Sequence, residues 1–162
     1  MDAVVALGKM RPAGVGREGK LSAVTRSDDF CWLEADQSGP GVCALMARLE
    51  AIRLVLNQQA YLGLVRSEMQ LAQYQVGSSG YSRHLDAFKG GNSNRRLTAI
   101  YYLNPDWQEE DGGQLGLFLP GGDIQVAPLH DRLLVFLADS VEHSVLPVNH
   151  HRLALTTWFY GP

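Results

Sequence analysis

The spacing of apolar and polar positions changes period part-way along this chain. After Ser38-Gly39-Pro40, a helix start signal, Val42, Leu45, Met46, Leu49, Ile52 and Leu56 recur at the three-and-four spacing of one helical face. That stripe predicts one long helix whose apolar side is core. From Met69 onward the pattern breaks into short runs, which predict strands over 69–74, 96–103, 115–119, 124–126, 132–137, 143–145 and 152–160. Glycine, proline and asparagine clusters separate them, among them Gly112-Gly113, which reads as a tight turn. Many short strands behind one helix predict a mainly β fold, a small sandwich or barrel braced by that helix. Before the helix, Pro12 and the charges of Lys9, Arg11, Arg17 and Lys20 predict a mobile basic loop over about 9–25.

Length and charge narrow the picture. The 162 residues fit a single domain over 1–162. Fourteen Lys and Arg against seventeen Asp and Glu give a net charge of -3, so no basic field attracts a nucleic acid or an anionic membrane. Cys31 and Cys43 make neither a disulfide framework nor a zinc motif, and no apolar run approaches the ~20 residues that cross a bilayer. The expectation is a cytoplasmic protein with reduced thiols.

His84-Leu85-Asp86 places an imidazole and a carboxylate two residues apart, which in extended backbone puts both on one face. His143 is the natural third member of a metal site. Two histidines and one carboxylate on a triangular face leave the opposite positions open, as non-haem Fe(II) oxygenases require. Taken alone, the His-X-Asp pair reads first as a surface histidine beside an aspartate. Arg152 shifts the balance. On the last strand Arg152, Ala154, Thr156, Trp158 and Tyr160 share one face, while Leu153, Leu155, Thr157 and Phe159 share the packing face. An inward guanidinium is costly unless an anion meets it, and its fork matches a carboxylate, so a dicarboxylate cosubstrate resolves the cost.

With these stretches in view, the chain from about residue 26 to 160 resembles the prolyl hydroxylase domain branch of the 2-oxoglutarate- and Fe(II)-dependent dioxygenases. The resemblance rests on Tyr81-Ser82-Arg83-His84-Leu85-Asp86, on Leu97-Thr98-Ala99-Ile100-Tyr101-Tyr102 with Asn104-Pro105-Asp106-Trp107, and on Asp111-Gly112-Gly113-Gln114-Leu115. It continues in Asp131-Arg132-Leu133-Leu134-Val135-Phe136, Val141-Glu142-His143-Ser144-Val145 and Arg152-Leu153-Ala154-Leu155-Thr156-Thr157-Trp158. It implies a double-stranded β-helix, or jelly-roll, core and Fe(II) ligands at His84, Asp86 and His143. It also implies that Arg152 and Tyr102 hold the far carboxylate of 2-oxoglutarate, with Tyr74, Ile100, Leu115 and Trp158 around the cosubstrate. Asp28 and Arg95 correspond to an ion pair that ties a loop near the site, and read equally as two exposed charges. Collagen-type relatives carry Lys where this chain has Arg152, so the resemblance points to the oxygen-sensor type and its small bacterial relatives.

The activity this implies is hydroxylation of a prolyl residue, at the trans-4 position, in a protein substrate. Dioxygen and 2-oxoglutarate are consumed, succinate and CO2 are formed, and ascorbate is an accessory reductant. Elongation factor Tu is a candidate substrate by resemblance to the bacterial relatives, and the expected assembly is a monomer. The expected mouth is lined by the loops over 9–20 and 84–95. Hydroxylation of a free amino acid or other small molecule is the alternative, followed by a non-catalytic jelly-roll ligand-sensing module.

Overall fold

The computed structural model describes residues 10–15, 20–21, 26–87 and 94–162. Its one long helix, α1 (Pro40–Ala60), starts with proline in the first turn after Gly39 and ends where Tyr61 takes the left-handed conformation (φ 53°). Proline has no N–H to leave unsatisfied there, and its fixed φ already suits a helix. The predicted stripe is the buried face: Val42 and Leu49 are buried, and Leu45, Met46, Ile52 and Leu56 pack beside them.

Three short N-terminal strands, β1 (Arg11–Pro12), β2 (Gly14–Val15) and β3 (Lys20–Leu21), precede β4 (Asp28–Leu33). After the helix come β5 (Arg66–Tyr74), β6 (Tyr81–His84), β7 (Arg95–Tyr102), β8 (Leu115–Phe118), β9 (Ile124–Val126), β10 (Leu133–Leu137), β11 (Glu142–Val145) and β12 (Arg152–Tyr160). A major sheet runs in the order β1-β4-β5-β12-β7-β10 and a minor sheet in the order β6-β11-β8-β9, with all pairings antiparallel. From β5 to β12 the chain passes back and forth between the two sheets, which is the winding of a jelly roll.

The period-two alternation of the strands builds two cores. On β7 and β12, Leu97, Ala99, Leu155 and Phe159 point to α1 and pack with Cys31, Leu33 and Leu71. Phe159 is fully buried, and burying such a side chain contributes roughly 1.5–3 kcal/mol. The opposite faces of the same strands carry Ile100, Tyr102 and Ala154, which meet Leu115, Leu117 and Val145 of the minor sheet. The space between the sheets is therefore walled by aromatic and aliphatic side chains, and the polar residues that open into it are exceptions with a chemical reason.

Several boundaries differ from the sequence expectation. Strand β5 begins three residues early, with the polar run Arg66-Ser67-Glu68 exposed at the sheet's end. Strands β4 and β6 were not anticipated. β4 opens on two aspartates, and β6 (Tyr-Ser-Arg-His) lies at the edge of the minor sheet, paired only with β11, so neither shows an apolar alternation. The segment expected to be one mobile loop is partly paired. Arg11 and Pro12 stand opposite Phe30 and Asp29, and Gly14 and Val15 opposite Leu21 and Lys20. Residues 9, 16–19, 22–25 and 88–93 lie outside the described residues, and with them part of the expected mouth. Among the described residues no helix is long and apolar enough to cross a membrane.

Candidate active site

A cavity of about 570 Å³ lies between the sheets, and it brings together residues from β5, β6, β7, β8, β11 and β12. At one end are His84, Asp86 and His143, whose ligand atoms all lie within 4.8 Å of one another. His84 is the last residue of β6, directly opposite His143 on β11. The strand ends there, so Asp86 is not on its face as strand parity supposed. The turn that follows returns its carboxylate to the same place, with Oδ1 3.8 Å from His84 Nε2 and Oδ2 3.7 Å from His143 Nε2.

The imidazoles are aimed by their own backbone. His84 Nδ1 lies 2.8 Å from the Ser82 carbonyl oxygen, and His143 Nδ1 lies 3.1 Å from that of Val141. A carbonyl only accepts, so each Nδ1 carries the proton and each Nε2 lone pair is left for a cation. The Tyr81 ring stacks on His84 at 3.7 Å, and Phe136 packs against His143 at 4.8 Å. Asp86 is held in turn by fully buried Thr98, whose hydroxyl donates to Oδ2 at 2.6 Å. Burial, joined by the neighbouring His143, lowers the His84 pKa to about 4, which keeps its imidazole neutral at physiological pH. Two imidazoles and one carboxylate, each fixed by a second hydrogen bond, make a donor set of the kind that holds a divalent first-row metal.

Arg152 lies on the major-sheet wall of the same cavity, only 4% exposed. It is the first residue of β12, opposite Tyr74 in register. Its guanidinium lies 5.1 Å from the Tyr74 ring centre and 5.3 Å from that of Tyr102. Its Nε donates to the Gly113 carbonyl oxygen at 2.8 Å, and no carboxylate pairs with it among the described residues. Tyr102 is fully buried, and its hydroxyl has no acceptor among the described residues. Burial pushes that phenol's pKa up, with the Arg152 charge pulling against it. A buried cation without a counter-ion beside a buried hydroxyl without an acceptor is costly. A carboxylate placed there satisfies both. Ile100, Leu115 and Ala154 supply apolar wall of the same cavity.

Trp158 lines the cavity, and its indole N–H has no partner among the described residues. Asp28 and Arg95 are not partners of one another, which corrects the sequence expectation. Asp28 is paired in a two-pronged bond with Arg26, at 2.6 and 2.9 Å, and Arg26 also reaches Gln70. Arg95 instead covers the Trp158 ring at 4.1 Å and donates to the Tyr160 hydroxyl. The sequence reading missed Arg26, although its two-residue spacing from Asp28 is the same signal that drew attention to His84 and Asp86. It also passed over Thr98 and the stacking role of Tyr81, which no local pattern marks.

The profile of the 2OG-Fe(II) oxygenase superfamily matches residues 69–160. The chain is 33% identical to human prolyl hydroxylase EGLN3 over 153 residues, covering 89% of this chain and 62% of that protein. It is 31% identical to human Egl nine homolog 1, covering 90% of this chain and 35% of that protein. The chain thus spans less than two thirds of the length of these relatives. Among solved structures, a Pseudomonas putida prolyl-4-hydroxylase superposes with a TM-score of 0.88 at 36% identity, covering 99% of this chain and 81% of that one. A Trichoplax adhaerens prolyl hydroxylase, solved with a peptide fragment of the hypoxia inducible factor oxygen degradation domain, superposes with a TM-score of 0.87 at 25% identity, covering 98% and 73%. The protein belongs to the 2OG-Fe(II) oxygenase superfamily, and its similarity within it lies with the prolyl hydroxylases. Membership implies Fe(II), 2-oxoglutarate and dioxygen, and the triad together with the unpaired Arg152 and Tyr102 fits that set.

Proposed function

We propose that this protein is an Fe(II)- and 2-oxoglutarate-dependent prolyl hydroxylase, acting at the 4-position of a proline in a protein substrate. The observation that carries the reading is the co-location in one cavity of the His84, Asp86 and His143 cluster with Arg152, a buried guanidinium with no acidic partner among the described residues. A module that only bound a ligand would need no open face on a metal.

In this reading His84, Asp86 and His143 hold Fe(II), and Arg152 with Tyr102 holds the far carboxylate of 2-oxoglutarate. When bound, iron and cosubstrate supply the oxidising chemistry, in which dioxygen is divided between succinate and the hydroxylated product and CO2 is released. The chain's own part is placement. The protonated Nδ1 atoms keep both imidazoles directed inward, and Thr98 keeps one Asp86 oxygen occupied so the carboxylate presents a fixed geometry. Tyr74, Ile100 and Leu115 line the cosubstrate space and exclude water, and Trp158 with Arg95 walls the side toward Trp32.

The relatives' names favour a protein substrate. A peptide is described with the Trichoplax adhaerens enzyme. Elongation factor Tu is the candidate substrate by resemblance to bacterial enzymes, and a cytoplasmic monomer assisted by ascorbate completes the proposal. The test is succinate formation from 2-oxoglutarate with and without proline-containing proteins, scored beside free proline. Peptide-dependent turnover supports the reading, and turnover with free proline alone replaces it by a small-molecule hydroxylase.

A further inference from the structure

The Gly112-Gly113 turn, which the sequence marks only as a tight turn, packs against Arg152. Gly113 has φ +71°, and a Cβ on it would stand 2.8 Å from Arg152 Cδ and 3.4 Å from both Arg152 Nε and Val148 Cγ2. The first distance is below any ordinary contact between carbons. The Gly113 carbonyl oxygen is the acceptor of the Arg152 Nε hydrogen bond. One residue thus touches the arginine twice, through a carbonyl that fixes Nε and through the missing side chain that lets the stem pass.

The turn is itself tied down. Gly113 N donates to the Pro147 carbonyl oxygen at 2.9 Å, and Leu146 N donates to that of Gln114 at 3.0 Å. Trp107 Nε1 donates to the Gly112 carbonyl oxygen at 2.9 Å, and Gly112 bridges to Val148. A Cβ on Gly112 would run into the Pro147 carbonyl oxygen. The turn is therefore fastened to the very connection between β11 and β12 that delivers Arg152. An arginine at the first position of a strand has neighbours on one side only, and its long stem loses much rotamer freedom when it is fixed.

We infer that Gly113, backed by Gly112 and Trp107, is the positioning residue for Arg152 and sets where the guanidinium meets the far carboxylate of 2-oxoglutarate. The inference rests on Arg152 being that anchor. Because Nε is taken by Gly113, the two terminal nitrogens form the fork that meets the carboxylate. Lysine, with a single nitrogen, could not serve both partners in this geometry.

The test is a double-mutant cycle read by titrating 2-oxoglutarate into Mn(II)-loaded protein under nitrogen, with Mn(II) affinity measured separately. Gly113→Ala should raise the 2-oxoglutarate Kd about tenfold or more while Mn(II) affinity stays within about twofold. In an Arg152→Ala background the same change should alter the Kd by less than about twofold, because the group it acts through is gone. Trp107→Phe, which loosens the turn without crowding it, should weaken 2-oxoglutarate about threefold with the same non-additivity, and it decides the matter if Gly113→Ala does not fold. An unchanged Kd in the folded variant, or equal weakening in both backgrounds, overturns the inference. If Arg152→Ala alone leaves the Kd unchanged, the anchor reading itself falls and takes the inference with it.

Discussion

His84 and His143, the two histidines of the triad, stand opposite one another across the β6–β11 ladder, their ring centres 4.3 Å apart. The pairing places two imidazoles on one side of a short ladder, and the turn after β6 needs to supply only one carboxylate to complete a donor set. Arg83 and Glu142, the residues just before them, pair on the outside of the same ladder, and Arg83 lies over the Phe118 ring at 4.1 Å. An exposed pair of this kind contributes under ~1 kcal/mol, so the register depends mainly on the backbone and the buried faces.

On the proposed reading, Asp86→Ala removes the one anionic ligand and leaves two imidazoles. Mn(II) binding, followed by electron paramagnetic resonance, should drop below detection at micromolar protein. Retained binding at near wild-type affinity would move the metal site elsewhere.

Arg152→Ala should spare the metal and weaken the cosubstrate. Losing charge-assisted hydrogen bonds costs roughly 1.5–3 kcal/mol, or about tenfold to a hundredfold in 2-oxoglutarate affinity. Titration calorimetry on the Mn(II) form checks this, and an unaltered dissociation constant would contradict the assignment of the anion site.

Thr98 is fully buried and donates to Asp86 at 2.6 Å, so Thr98→Val keeps the shape and removes the hydrogen bond. Loss of a partner that orients a ligand typically weakens metal binding about tenfold to a hundredfold. Thr98→Ser should restore most of it. If valine and serine variants bind Mn(II) alike, the hydroxyl does not orient the carboxylate.

The triad was legible because its three members are of types that bind metal together, and because His-X-Asp spacing survives a strand end. The helix stripe and the face of β12 that carries Arg152 were legible for a different reason: both follow a regular period set by burial on one side. The partner of Asp28 was not. Arg26 and Arg95 are equally plausible partners in a linear sequence, and the choice depends on β4 pairing with β5, which brings Asp28 opposite Tyr74 and Arg26 within reach of Gln70. The contact of Gly113 with Arg152 spans 39 positions and leaves no periodic trace. Strand β6 escaped because its residues are chosen by the site and by solvent, so they do not alternate between apolar and polar.

The depressed His84 pKa makes a prediction about acid. The unfolded chain takes up a proton at this imidazole as pH falls through about 6.5, while the folded metal-free chain resists until about 4. Its folded pKa lies below the unfolded one, so no stability is lost to this group above 6.5, and stability falls as pH drops from 6.5 toward 4. The thermal midpoint of the metal-free protein should therefore decline more steeply over that window than that of His84→Gln. Parallel curves would show that the imidazole is not held neutral by its surroundings.

On the proposed reading, one cavity couples cosubstrate breakdown to oxygen insertion at a protein-bound proline. The most direct measurement incubates the protein with Fe(II), 2-oxoglutarate, labelled dioxygen and a panel of proline-containing proteins, elongation factor Tu among them. Product mass spectrometry is read beside succinate release. One labelled oxygen should appear on a prolyl residue for each succinate formed, with both lost in Asp86→Ala. Succinate release that no polypeptide stimulates, with the label found instead on a free small molecule, would contradict that reading.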